Sequence, residues 1–212
     1  YLYSCCEFFI NSGFNVTDIS PINEPSYSHC AVADKNGAIS IDKEGCFYTP
    51  DEVIDLYNEM YSVFNDTPVS ESGIKILLPE CGEADTEGSA TAVYIDKLAA
   101  FGENTNNTSV LSDSIAVHSY WSSKEKKLQF SGMMQMNYPG KGVYCTEYSQ
   151  LANDGNSGIL QYLAKEEDDK RGLSIEYALK MSEVIMTDLV SMNASLWCWS
   201  SACSVNNTTD AL

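Results

Sequence analysis

Residues 73–80 read GIKILLPE, an apolar run opened by a glycine and stopped by a proline and an acid. A strand that is apolar at successive positions, rather than at alternate ones, is buried on both faces. That is the habit of strands in a parallel sheet covered by helices. The neighbouring segments agree with this reading. Upstream, Thr49-Pro50-Asp51-Glu52 supplies an N-cap threonine, a proline at the first helical position and acids in the first turn. VIDLYNEMYSVF then places apolar residues three and four apart, the period of a helix with one buried face. Downstream, ATAVYIDKLAAF (90–101) is again helical.

The same alternation continues outward. Residues 2–11 read as the end of an amphipathic helix closed by Ser12-Gly13, and VTDISPI (16–22) as the first strand. After the run at 73–80 come SIAVHSYW (114–121) as the third strand, GVYCTEYS (142–149) as the fourth and ASLWCWSS (194–201) as the fifth. Between them KEKKLQFSGMMQMNY (124–138) and LSIEYALKMSEVIMTDLVSM (173–192) read as helices. Strand and helix thus alternate five times after an opening helix, which is the α/β class with a parallel sheet. Five βα units fall short of a closed eight-stranded barrel, which typically takes about 250 residues. No Pro- or Ser-rich linker divides the chain, so a single domain is expected over residues 1–212.

Composition narrows the function. The chain has 212 residues, 44% hydrophobic and 20% charged, enough apolar content for a sizeable core. Thirty acidic against twelve basic residues give a formal charge of −18, which opposes phosphate backbones and anionic lipid surfaces. Neither nucleic acid nor membrane is expected as a partner. The eight cysteines contain no CxxC pair, so a metal site is not expected; the residues leave disulfides and buried free thiols both open. His29 and His118 are the two histidines, and no GxSxG elbow accompanies them. A serine-hydrolase reading therefore lacks support, as do metalloprotease and nucleotide-binding readings, since HExxH and GxxxxGK[ST] are absent.

The strand ends carry the chemistry. Asn23-Glu24-Pro25 follows the first strand, Pro79-Glu80 the second, His118-Ser119-Tyr120-Trp121 the third, Glu147-Tyr148 the fourth and Trp197-Cys198-Trp199 the fifth. Parallel α/β folds bind ligands at the C-terminal edge of the sheet, so polar and aromatic groups gathered there point to a site. Two carboxylates at such ends suit glycoside hydrolysis, in which one protonates the departing oxygen and the other attacks or activates water. Glu24 and Glu147 are the favoured pair. Cys145, two residues before Glu147, is expected as a buried thiol and Trp197 as packing between strand and helix. Glu80 stays open between the rim of a cleft and an ion pair or cap.

ISPINEP (19–25), EGCFYTP (44–50), AVHSYW (116–121), VYCTEYS (143–149) and NASLWCWSS (193–201), in that order, resemble glycoside hydrolase family 30, and within it the endo-β-1,6-galactanase-like members. The resemblance implies a retaining (β/α)8 TIM barrel with a small β-sandwich beside it. Carried over, Glu24 is the general acid/base on the fourth barrel strand and Glu147 the nucleophile on the seventh. Asn23 hydrogen-bonds the sugar 2-hydroxyl, Tyr120 holds the nucleophile's carboxylate, and Trp199 offers an apolar face to a sugar ring. Trp121 lines the cleft, while His118 is left between a contact to sugar or Glu147 and a bond to backbone. Neither metal nor organic cofactor is implied.

On this numbering TDISPI is barrel strand four and LWCWS strand eight. The chain is then expected to be an incomplete barrel of five C-terminal βα units, with strands one to three and the sandwich absent and with little activity as a piece. The function implied is a retaining endo-glycoside hydrolase acting on a β-linked polysaccharide, β-1,6-galactan. A glucuronoxylanase or another family 30 β-glycosidase is the alternative within the class. A non-catalytic carbohydrate-binding barrel remnant is the alternative outside it. The expected partner is a polysaccharide or oligosaccharide, the expected location extracellular or at the cell surface, and the complete protein is expected to be a monomer.

Overall fold

A computed structural model describes residues 1–27, 31–33, 39–41, 45–65, 72–86, 89–149 and 175–200, the side chains of 31–33, 39–41 and 176–177 excepted. His29, Cys30 and Cys203 lie outside the described residues. In chain order the elements are α1 (Leu2–Asn11), β1 (Asp18–Ile19), β2 (Ala31–Ala33), β3 (Ile39–Ile41), α2 (Pro50–Phe64), β4 (Lys75–Cys81), α3 (Ala90–Asn104), β5 (Leu111–His118), α4 (Lys124–Asn137), β6 (Gly142–Glu147), α5 (Ile175–Val190) and β7 (Leu196–Trp197). Five strands form one sheet in the order β1-β4-β5-β6-β7, with β1 parallel to β4 and β6 parallel to β7. Parallel strands alternating with helices are the incomplete (β/α)8 arrangement expected of the sequence.

The chain divides into two compact units, Tyr1–Cys81 with Ala92–Ile115, and Gly82–Thr91 with Ala116–Leu212. In the first, β4 is buried along almost its whole length, as its continuous apolar run requires. Ile74, Ile76 and Leu78 pack with Val53, Tyr57, Met60 and Phe64 of α2 and with Tyr94 and Leu98 of α3. Helix α2 starts where the sequence says. The Thr49 side chain accepts the Glu52 N–H, and the Glu52 carboxylate accepts the Thr49 N–H at 2.7 Å, which closes a capping box. That exchange holds the Glu52 carboxyl below the usual range, chiefly through the backbone bond.

The second unit is built on β6, β7, α4, α5 and the end of β5. Phe130 and Met134 of α4 are buried, as are Val143 and Cys145 of β6 and Met192 after α5. Ser123 caps α4 by accepting the Lys126 N–H.

Several outlines differ from expectation, β7 among them at two residues rather than eight. β1 is two residues rather than seven, because Pro21 has no N–H to continue the ladder. β5 begins at Leu111 and ends at His118, since Trp121 at φ 53° cannot extend a strand. The polar stretch 23–48 contains an antiparallel hairpin, β2 with β3, in the register Ala31↔Ile41 and Ala33↔Ile39.

Candidate active site

In the first unit the site residues follow β1. Glu24 sits at φ 45° and is 2% exposed, and its N–H donates to the Glu80 carbonyl at 2.9 Å. Glu80, at the end of β4, is itself at φ 61° and buried. Left-handed backbone at a glutamate is strained, and strain of this kind persists where the surroundings fix it. Here the fixing segment is Cys46–Tyr48. The Cys46 N–H donates to the Asn23 carbonyl at 3.0 Å, and the Tyr48 N–H to the Pro25 carbonyl at 3.3 Å. The Cys46 thiol also accepts the Asn23 N–H, at 3.5 Å. The Tyr94 hydroxyl lies between the carbonyls of Pro25, at 3.1 Å, and Tyr48. Burial pushes this phenol up to about 12, so it stays a donor. The described part of the EGCFYTP motif, Cys46–Tyr48, is therefore a brace along Asn23–Pro25.

In the second unit His118, Tyr120 and Glu147 meet. Glu147 ends β6, and its Oε1 accepts the Tyr120 hydroxyl at 3.2 Å. The Tyr120 oxygen in turn accepts the Ser149 N–H at 2.8 Å and lies 3.1 Å from the Ser149 hydroxyl. With one proton to give and the Ser149 amide already donating to its oxygen, Tyr120 is arranged to donate to the carboxylate. Burial raises its pKa, and the negative Glu147 adds to the rise, so the phenol remains protonated. His118 is 1% exposed, with Nδ1 at 4.0 Å from Glu147 Oε1. At that separation the two side chains are neighbours rather than hydrogen-bonded.

Aromatic rings extend the cluster. Tyr120 stacks on Tyr148 with centroids 5.5 Å apart, and Trp121 lies 5.6 Å from Tyr120. Tyr148 also meets Trp197 at 6.1 Å and Trp199 at 6.4 Å. Trp197 packs inward as expected, its indole N–H donating to Asp188 of α5 at 2.9 Å. The Trp199 indole N–H is buried without a hydrogen-bond partner among the described residues. Asn23 and Glu24 thus sit together in the first unit, and His118, Tyr120, Trp121, Glu147 and Trp199 belong to the second. Sequence reading missed Tyr94, Ser119, Lys127, Ser149 and Asp188. Cys46, Ser119 and Ser149 lie inside segments that reading had singled out, but none was given a role there.

The six described cysteines, Cys5, Cys6, Cys46, Cys81, Cys145 and Cys198, are free thiols. Cys145 is buried as expected. Its thiol pKa is raised by that burial and by the Asp188 carboxylate beside it, so it is no nucleophile at neutral pH.

Comparison with known proteins completes the site's context. A crystal structure described as a conserved exported protein from Bacteroides fragilis is similar at a TM-score of 0.67 and 22% identity. The likeness covers 97% of this chain but 41% of that one, so the chain spans less than half the length of the solved protein, and the fold is what the likeness shows. No curated protein matches the chain. A family model described as O-glycosyl hydrolase family 30 matches residues 1–212, running through both carboxylate-bearing strand ends and the brace between Cys46 and Tyr48, and it is to this family that the chain belongs.

Proposed function

We propose that the complete protein is a retaining endo-glycoside hydrolase acting on a β-linked polysaccharide, with β-1,6-galactan as the substrate its motifs favour. The observation that carries this reading is the hydroxyl of Tyr120 donating to Glu147 at a strand end, in a chain of O-glycosyl hydrolase family 30. A nucleophilic carboxylate must be held in one orientation yet remain open to the sugar. Glu147 has a side chain 30% exposed and a fixed donor on one oxygen, which suits that task. Glu24, 2% exposed, lies where burial disfavours a bare carboxylate, which suits the proton donor.

In the proposed cycle Glu24 gives its proton to the glycosidic oxygen while a Glu147 oxygen attacks the anomeric carbon. The bond to the leaving sugar breaks and a glycosyl ester forms on Glu147. Water then loses a proton to Glu24 and attacks the same carbon, the ester bond breaks, and the configuration is retained. Asn23 holds the 2-hydroxyl as positive charge develops at the ring, and Trp199 and Trp121 present ring faces to sugar. His118 stands beside Glu147 and contacts the sugar from that side. The same reading places the protein outside the cell or on its surface, acting as a monomer on polysaccharide. Among the described residues no helix is long and apolar enough to cross a membrane.

The full-length protein incubated with β-1,6-galactan should release oligosaccharides whose new reducing ends are first β, as seen by proton NMR before mutarotation. Products from glucuronoxylan alone would move the substrate to that alternative. Binding of galactan without any product would replace the enzyme by a carbohydrate-binding protein. First-formed α ends would sink the retaining mechanism. A bound structure should put the two carboxyl groups about 5–5.5 Å apart, as double displacement requires.

A further inference from the structure

We propose that Asp188 is a positioning residue: a single buried carboxylate on α5 that sets the three strand ends bearing Tyr120, Glu147 and Trp199. The proposal rests on the glycosidase reading for its catalytic consequence and on geometry for the rest. Asp188 is 0% exposed. Its Oδ2 accepts the Ser119 hydroxyl at 2.9 Å and the Trp197 indole N–H at 2.9 Å, and the Cys145 thiol lies 3.9 Å away. Ser119 immediately precedes Tyr120, Cys145 comes two residues before Glu147, and Trp197 two before Trp199. The Cys145 thiol also reaches the Glu147 carbonyl, at 3.7 Å. The backbone carbonyl of Asp188 accepts the Ala194 N–H at 3.1 Å, which fixes the approach to β7. Each side-chain contact of Asp188 thus acts on a strand end one or two residues before a proposed site group.

Charge balance comes from α4. Lys127, 1% exposed, places Nζ 2.7 Å from Asp188 Oδ1. A buried ion pair of this kind adds little stability over apolar residues of similar volume, whereas removing one partner leaves a costly bare charge. What the pair supplies that an apolar core does not is direction. Lys127 sits on one oxygen of the carboxylate and the Ser119 and Trp197 donors on the other, so both oxygens are held.

These two facts separate position from stability in an experiment on the full-length protein. In the double variant Lys127→Met/Asp188→Leu, apolar residues replace the pair and leave no bare charge, so the protein should fold, its melting temperature lowered only by the loss of the Asp188 acceptor. The donors on Ser119 and Trp197 lose their acceptor. kcat on β-1,6-galactan, or on glucuronoxylan if that is the substrate, should then fall roughly ten- to a hundredfold, the scale of a small misplacement. KM should stay within about twofold, since the groups that hold the ground-state sugar remain. Amide exchange should quicken at Ser149, which donates to Tyr120, and at Cys198, which donates to the Cys145 carbonyl, and stay unchanged at Lys75 in the other unit. Wild-type kcat with wild-type exchange in the folded double variant overturns the proposal. If the double variant fails to fold, Ser119→Ala/Trp197→Phe removes two donors and leaves the ion pair intact. The same losses are expected, and unchanged exchange again overturns the proposal. A wild type inactive on both polysaccharides sinks the glycosidase reading alone, because the exchange comparison still decides whether Asp188 sets the strand ends.

Discussion

Glu147 and Tyr120 divide the work at the residue scale. Glu147→Ala removes the proposed nucleophile, and turnover should fall by roughly ten-thousandfold or more, as loss of such a group typically does. Retained turnover on purified full-length protein would move the nucleophile elsewhere. Tyr120→Phe leaves the carboxylate but takes away its donor. A hydrogen bond to a charged group contributes about 1.5–3 kcal/mol, so kcat/KM should drop about ten- to a hundredfold with the fold intact. Measured in parallel, the two variants distinguish a group that reacts from one that holds it. Legibility at this scale followed visibility of chemistry. Glu24 and Glu147 stand out because an acid directly after an apolar run needs a reason. Asp188 lies in VIMTDLV, where a lone acid reads as the solvated face of a helix, and Lys127 closes KEKK, which reads as a solvated run. Each is buried only because the other is, and sequence alone does not show pairs 61 positions apart (188 − 127).

Elements were legible where local signals were complete. The α2 start offers cap, proline, acids and period together, and the structure places it at those residues. Thr49→Ala should therefore weaken the fold by about 1 kcal/mol, the usual cost of losing such a cap, seen as a lower denaturation midpoint with an unchanged slope. A midpoint equal to wild type would mean that packing of Val53, Tyr57 and Met60, not the cap, sets that end. Edge strands were harder to bound. Leu196–Trp197 is short as a strand, yet backbone donors at Ser195, Cys198 and Ser200 continue the pairing to Val143, Cys145 and Tyr148. The apolar run ASLWCWSS reflects that longer pairing rather than the strand proper. The start of β5 has Leu111 followed by the polar Ser112-Asp113-Ser114 rather than a continuous apolar run, and a contact 94 residues distant in sequence, Ser112 to Asp18 at 2.9 Å, helps anchor it.

At the scale of the whole molecule, alternation of strand and helix was enough to give the class and the five strands of the main sheet, because each βα unit must bury its apolar face on the next. The same burial makes an alkaline prediction. Four described tyrosines are buried, Tyr57, Tyr94, Tyr120 and Tyr148, and the first three carry the prediction. Burial raises all three phenols above their ordinary 10.0, Tyr94 to about 12, with negative neighbours adding to the rise at Tyr94 and Tyr120. An unfolded chain releases these protons near pH 10, while the folded one keeps them. The folded state therefore binds more protons above that pH, and its stability must fall as pH rises. The stabilisation is complete below pH 10 and is lost as pH climbs through the folded value of about 12 for Tyr94. Chemical denaturation between pH 9 and 11 should give midpoints that decline steeply only above about pH 10, where tyrosines of the unfolded chain titrate. Phenolate absorbance of the native protein should lag that of the unfolded chain over the same range, and Tyr94→Phe should shorten the lag. A native titration that tracks the unfolded one would mean that water reaches these phenols, and with it the donor that Tyr120 holds against Glu147.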